Sequence, residues 1–190
     1  MIPINASDAD LTRYVTNILA AYKQASKDQR RRGADWYPAA HQLADMLSDG
    51  HPRMGAGVIA ALSANKSWTE NQKLAARCFD GNMSGTFEDA LTKVRRIMAG
   101  ERPEDVLPMT VKTGNFFRCI ADPHDQEAVV IDRHAHDVAV GERFGKRDRG
   151  LSNVRRYAAL AHAYREAARK LRMTPNVLQA IVWLVQMERK

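Results

Sequence analysis

The sequence predicts an all-α fold, and three observations carry that prediction. Apolar residues recur at i, i+3, i+4 and i+7 in one segment after another. Residues suited to starting a helix (Ser, Thr, Asp, Asn) head most of those segments. Strand-type alternation is almost absent. At 190 residues, 45% hydrophobic and 27% charged, the chain can bury one substantial core and reads as a single domain over 1–190.

Ser7 heads the first helix, with Asp10 three positions on as its capping-box partner. Leu11, Tyr14, Val15, Ile18, Leu19, Tyr22 and Ala25 form one apolar stripe. The helix is expected to end in Lys27, Arg30, Arg31 and Arg32 before Gly33, where cations suit the negative end of the dipole. Trp36-Tyr37-Pro38 reads as the start of a second helix, the proline standing where a missing N–H costs nothing. Ala40, Leu43, Ala44 and Leu47 face inward there, and Gly50 with Pro52 closes it.

A third helix covers Val58, Ile59, Ala61 and Leu62 and stops near Ser63-Ala64-Asn65. Ser67-Trp68-Thr69-Glu70 is a capping box for a fourth, with Leu74, Ala75, Cys78 and Phe79 inward and Gly81 at its end. Thr86 is read as the cap of a fifth, which carries Leu91, Val94, Ile97 and Met98 to Gly100. Pro103 and Pro108 mark an irregular link, after which Val111 to Ile120 is helical. A polar loop follows at Asp122-Pro123-His124-Asp125. Val129-Val130-Ile131 is a buried run too short to define its own state.

Asp132 stands where a helix N-cap belongs, ahead of Ala135, Val138 and Ala139. Gly141 to Gly150 is a charged loop. Asn153 begins a long helix carrying Val154, Tyr157, Ala158, Ala161, Ala168 and Leu171. Thr174-Pro175 opens the last, where Leu178, Ile181, Val182 and Val185 pack.

Lysine and arginine number 29 against 22 acids, a surplus of seven that favours polyanionic partners. The two cysteines, Cys78 and Cys119, form no CxxC pair, so a four-cysteine metal or iron–sulfur site is excluded. Both are expected to be buried. The N-terminus lacks the basic start and apolar run of a signal peptide. No apolar stretch approaches the roughly 20 residues that span a bilayer. A cytoplasmic protein is expected, with no membrane role.

Three ordered segments resemble the helix-hairpin-helix DNA glycosylase superfamily, in its endonuclease III-like branch. Leu62-Ser63-Ala64-Asn65-Lys66-Ser67 resembles the loop that pushes a polar side chain into the DNA stack. Lys112-Thr113-Gly114-Asn115 resembles the start of the helix after the family's hairpin, where bifunctional members carry a nucleophilic lysine. Val129-Val130-Ile131-Asp132-Arg133-His134-Ala135 resembles the family's hydrophobic run, catalytic aspartate and histidine. The likeness is nearest to phage members of the base-modifying type, which would place the protein in a host cytoplasm.

The resemblance implies a compact two-lobed helical bundle, with residues 53–190 as the family-like core and 1–52 as an N-terminal helical extension. The family's hairpin is rich in glycine because bare backbone must approach a phosphate closely. Here the corresponding Val106-Leu107-Pro108-Met109-Thr110-Val111 has none, so a degenerate hairpin is expected.

The resemblance makes Asp132 and Lys112 the candidate catalytic pair. Asn65, Lys66, Trp68, Thr113, Asn115, Arg118, His134, Lys146 and Arg147 are the candidate DNA-binding residues. Each has a plainer reading. Asp132 suffices as an N-cap, Trp68 and Trp183 as core residues, and the arginine runs as solvated faces. His134 and His136, two apart on a helix, diverge in direction, so no metal site is expected. No cofactor is implied.

Two functions follow. One is a DNA-base enzyme acting on a flipped-out nucleotide, by N-glycosidic cleavage or by modification of an activated pyrimidine. The other is a DNA-binding or partner-binding module that keeps the fold without the chemistry.

Overall fold

A computed structural model describes residues 5–188 as ten helices with no strand among the described residues. The first four residues, where a leader would begin, and the last two lie outside the described residues. The helices are α1 (Asp8–Lys23), α2 (Lys27–Leu47), α3 (Pro52–Ala61), α4 (Trp68–Phe79), α5 (Glu88–Met98), α6 (Pro103–Val106), α7 (Lys112–Ala121), α8 (Arg133–Val140), α9 (Val154–Leu171) and α10 (Pro175–Glu188).

Local signals set most of the starts. Ser7 with Asp10 and Ser67 with Glu70 form reciprocal capping boxes, and Asn153 caps α9 through the N–H of Arg156. Two starts differ from expectation. The first helix stops at Lys23, and a third capping box, Ser26 with Gln29, begins α2 at Lys27. The arginine run therefore stands at the positive end of α2, where the dipole opposes it. Acids offset that. Asp28 pairs with Arg31 and Arg32, and Glu188 takes a two-pronged bond from Arg32.

Pro38 lies inside α2 and does not begin it. Its missing N–H frees the carbonyl of Ala34, which is exposed, so water can satisfy it. The other departures are smaller. Phe87, not Thr86, occupies the N-cap of α5, and the link after Pro103 contains the one-turn α6.

The interior divides into two principal apolar clusters. One gathers α3, α4, α5 and α7 with the C-terminal half of α2. The other gathers α1, α8, α9 and part of α10. The run left open by periodicity passes between them. Ala128 and Val130 enter the first cluster, while Val129 and Ile131 enter the second. That two-residue alternation is what an extended chain gives, and it explains why every residue of the run is apolar. Tyr157 of α9 pins the run: its hydroxyl donates to the Val129 carbonyl at 3.0 Å and accepts the Ile131 N–H at 2.9 Å. Two backbone groups of a buried segment without a sheet partner are thereby satisfied.

Residues 1–52, expected as an extension, are integral where described. Tyr14 and Ile18 of α1 are fully buried in the second cluster. Helix α2 crosses α10 so closely at Gly33 that a Cβ there would sit 2.5 Å from Ile181 Cγ1 and 2.8 Å from its Cα. Only glycine fits that crossing.

Between α6 and α7, residues 107–111 form the connection expected as a degenerate hairpin. None of them takes a positive φ, so nothing there requires glycine. The glycine falls one turn later. A Cβ on Gly114 would meet Met109 Cα at 2.2 Å, so Gly114 lets α7 fold back on its own entry loop.

Candidate functional site

A cavity of about 140 Å³ opens beside the first cluster, which supplies its apolar lining. Its walls come from α2 (Trp36, Tyr37), α4 (Trp68, Asn71), α7 (Lys112, Phe116) and α10 (Gln179, Ala180, Trp183). The loop before α4 adds Lys66 and Ser67, and the extended run adds Val130 and Asp132. All three tryptophans of the chain are in this lining. Trp36 lies 5.0 Å from Trp68 and 6.0 Å from Phe116, centroid to centroid, so one side is a cluster of tilted rings. Trp183 meets His134 edge-on at 6.5 Å. An apolar cavity of roughly 150 Å³ accepts benzene, so this volume suits one flat ring.

Asp132 and Lys112, 20 positions apart, line this one cavity. Asp132 is the N-cap of α8. Its Oδ1 accepts the N–H groups of His134 at 2.9 Å and Ala135 at 2.8 Å, while Oδ2 accepts no hydrogen bond. One oxygen thus holds the carboxylate in place and the other is left for a ligand. Lys112 is the first residue of α7, whose N-cap, Val111, makes no side-chain bond and whose first turn has no acid. A cation at the positive end of a helix is locally unfavourable. Lys112 makes no ion pair within 4.0 Å, and neither does Lys66. The cavity therefore combines a fixed carboxylate with two amines that form no ion pair.

Buried amides complete the wall. Tyr37 Oη donates to Gln179 Oε1 at 3.1 Å, and Asn71 Nδ2 donates to the Ile59 carbonyl at 3.0 Å. Asn71 Oδ1 is buried without a hydrogen-bond partner. Burial pushes the Tyr37 hydroxyl well above its usual range, with Cys119 and Asp132 adding to the effect, so it stays a neutral donor. Burial also lowers His134 below the usual histidine value, against the pull of Asp132.

The other expected contact residues fall into three groups. Lys66 and Trp68 are in the lining; Asn65 is exposed beside them, at the turn before α4, with φ 57°. Thr113 is half-buried at the start of α7. Asn115 and Arg118 serve the fold. Asn115 is buried and donates to the Val111 carbonyl at 3.0 Å. Arg118 makes a two-pronged bond to Asp125, which also accepts the N–H groups of Glu127 and Ala128. Lys146 and Arg147 lie in the 141–150 loop, outside the lining. Arg147 pairs with Glu142 and covers the Phe144 ring at 4.2 Å, whereas Lys146 has no such partner among the described residues.

Trp36, Tyr37, Asn71 and Phe116 also line the cavity, though sequence reasoning assigned them no site role. The aromatic pair Trp36-Tyr37, at the head of the apolar stripe of α2, was the available signal. Both cysteines are buried, and no group of three His, Cys, Asp or Glu side chains gathers among the described residues. No helix there is long and apolar enough to cross a membrane.

Over residues 1–190 the chain matches the model of a family of unknown function (DUF7178), and it belongs to that family. No curated protein and no solved structure matches it.

Proposed function

We propose that this protein is a DNA-base enzyme that takes a single everted base into the aromatic cavity and acts on it with Asp132. The observation that carries this reading is the convergence of Asp132 and Lys112 on one ring-sized cavity walled by tryptophan. Everted bases are held by stacking on aromatic side chains and by hydrogen bonds to their edges. The net surplus of seven positive charges supplies attraction to phosphate.

The carboxylate suits two reactions. In N-glycosidic cleavage, Asp132 Oδ2 accepts a proton from the attacking water or stabilises an oxocarbenium-like sugar, with Lys112 as an alternative nucleophile. In modification of a pyrimidine activated as a pyrophosphate ester, an incoming amine or hydroxyl forms the new bond at the activated carbon and gives its proton to Asp132 Oδ2, while pyrophosphate leaves as an anion that Lys66 and Lys112 stabilise. The absence of glycine in residues 106–111 favours the second, because duplex gripping by a bare-backbone hairpin is missing.

The test is incubation of the full chain with duplexes carrying damaged bases and with DNA carrying pyrophosphate-activated pyrimidines. Product from either is expected with the native chain and not with Asp132→Asn. Intact DNA binding with neither substrate altered would leave a binding module on this fold. No binding to any DNA would remove both readings.

A further inference from the structure

We infer that Gln179 and Asn71 select the ligand by its edge, admitting a flat heterocycle with a lactam edge, a carbonyl beside a ring N–H. This rests on the base-binding reading above. Gln179 is buried on α10 and lines the cavity. Its Oε1 is engaged by the Tyr37 hydroxyl at 3.1 Å, which orients the amide and leaves Nε2 as the group with no hydrogen bond. An amide nitrogen only donates, so it calls for an acceptor on the ligand.

Asn71, 2% exposed, presents the opposite need. Its Nδ2 is fixed on the Ile59 carbonyl at 3.0 Å, a partner that can only accept, so the amide cannot be turned around. Oδ1 is then a buried acceptor without a donor. Such an atom is costly unless a ligand satisfies it. A lactam edge answers both amides at once. In the same pose, an amidine edge, an exocyclic NH₂ beside a bare ring nitrogen, sets its donor against the Gln179 amide nitrogen and its acceptor against Asn71 Oδ1. Sites built around hydrogen bonds reject the mismatched partner far more strongly than apolar pockets reject a wrong size.

The experiment titrates the full chain with single-stranded oligonucleotides of abasic residues carrying one thymine or one cytosine, read by tryptophan fluorescence. Thymine is expected to bind at least about tenfold more tightly than cytosine. Tyr37→Phe, which frees the Gln179 amide to turn, should reduce that ratio. Equal binding of the two oligonucleotides, or a Tyr37→Phe ratio unchanged from native, overturns the edge selection and leaves the base site standing. No response to either oligonucleotide overturns the base site together with the inference.

Discussion

Tyr37 of α2 donates a hydrogen bond to Gln179 of α10 across 142 positions of sequence, and both residues line the cavity that holds Asp132 and Lys112. The bond joins the two helices that also meet at Gly33, so the cavity wall and the α2–α10 crossing are one structural unit. Helix α2 was expected to lie outside the family-like core. It supplies two rings of the site.

The Gly33 crossing gives the first prediction. Gly33→Ala drives a Cβ into Ile181 backbone and side chain, and the backbone cannot step aside as a flexible chain end would. A loss of about 1–3 kcal/mol is expected, seen as a lower urea midpoint, together with weaker quenching of Trp36 by ligand. An unchanged midpoint would show that the two helices separate freely there.

Asp132 has two roles that substitution separates. Asp132→Asn keeps an oxygen for the His134 and Ala135 N–H groups, so stability should change little. Asp132→Ala removes the cap and should cost about 1 kcal/mol. Both should abolish turnover. Turnover by the asparagine variant at the native rate would reduce Asp132 to a cap.

Much of this was legible in the sequence where the signal is local. Ser7, Ser67, Asp132 and Asn153 cap helices because a side-chain oxygen three or fewer positions from an N–H needs no tertiary help. The Ser26–Gln29 box was equally local, but the stripe from Leu11 to Ala25 and the arginines after it suggested one uninterrupted helix. Pro38 then suggested a start where α2 merely tolerates it. The state of Val129-Val130-Ile131 was not legible, since it depends on two cores assembled from distant helices. Trp36, Asn71 and Phe116 entered the site for the same reason: the cavity exists only after α2, α4, α7 and α10 pack.

A buried histidine gives the pH dependence. His136 Nδ1 lies 2.9 Å from Asp137 Oδ1, and Nε2 lies 3.3 Å from Arg156 Nη2. A guanidinium only donates, so Nε2 accepts and the ring is neutral. Burial lowers its affinity for a proton below the usual 6.5, with Arg156 and Arg149 opposing the charge and Asp137 favouring it. The unfolded chain therefore binds the proton first. Stability is full above about pH 6.5 and falls as pH drops below it, and His134 acts in the same sense. Urea midpoints should decline from pH 7 to pH 5, and His136→Gln should flatten the decline. The depressed carboxyls of Asp125 and Asp137 act only below about 3.8, outside that window.

The cations divide by what they already touch. Lys66 and Lys112 line the cavity and form no ion pair, so each alanine substitution should lower the slope of log affinity for DNA against log salt by about one. Arg118 is committed to Asp125, so Arg118→Ala should leave that slope alone and cost up to about 1 kcal/mol of stability. A slope reduced by Arg118→Ala and untouched by Lys66→Ala would reverse the assignment.

The three tryptophan indole N–H resonances of the full chain, followed by NMR as a short single-stranded oligonucleotide is added, test the base site most directly. Trp36, Trp68 and Trp183 all line the cavity, so all three signals should shift together, with the backbone signals of Asp132 and Lys112. Shifts confined to the 141–150 loop, with the three indoles unmoved, would contradict the account.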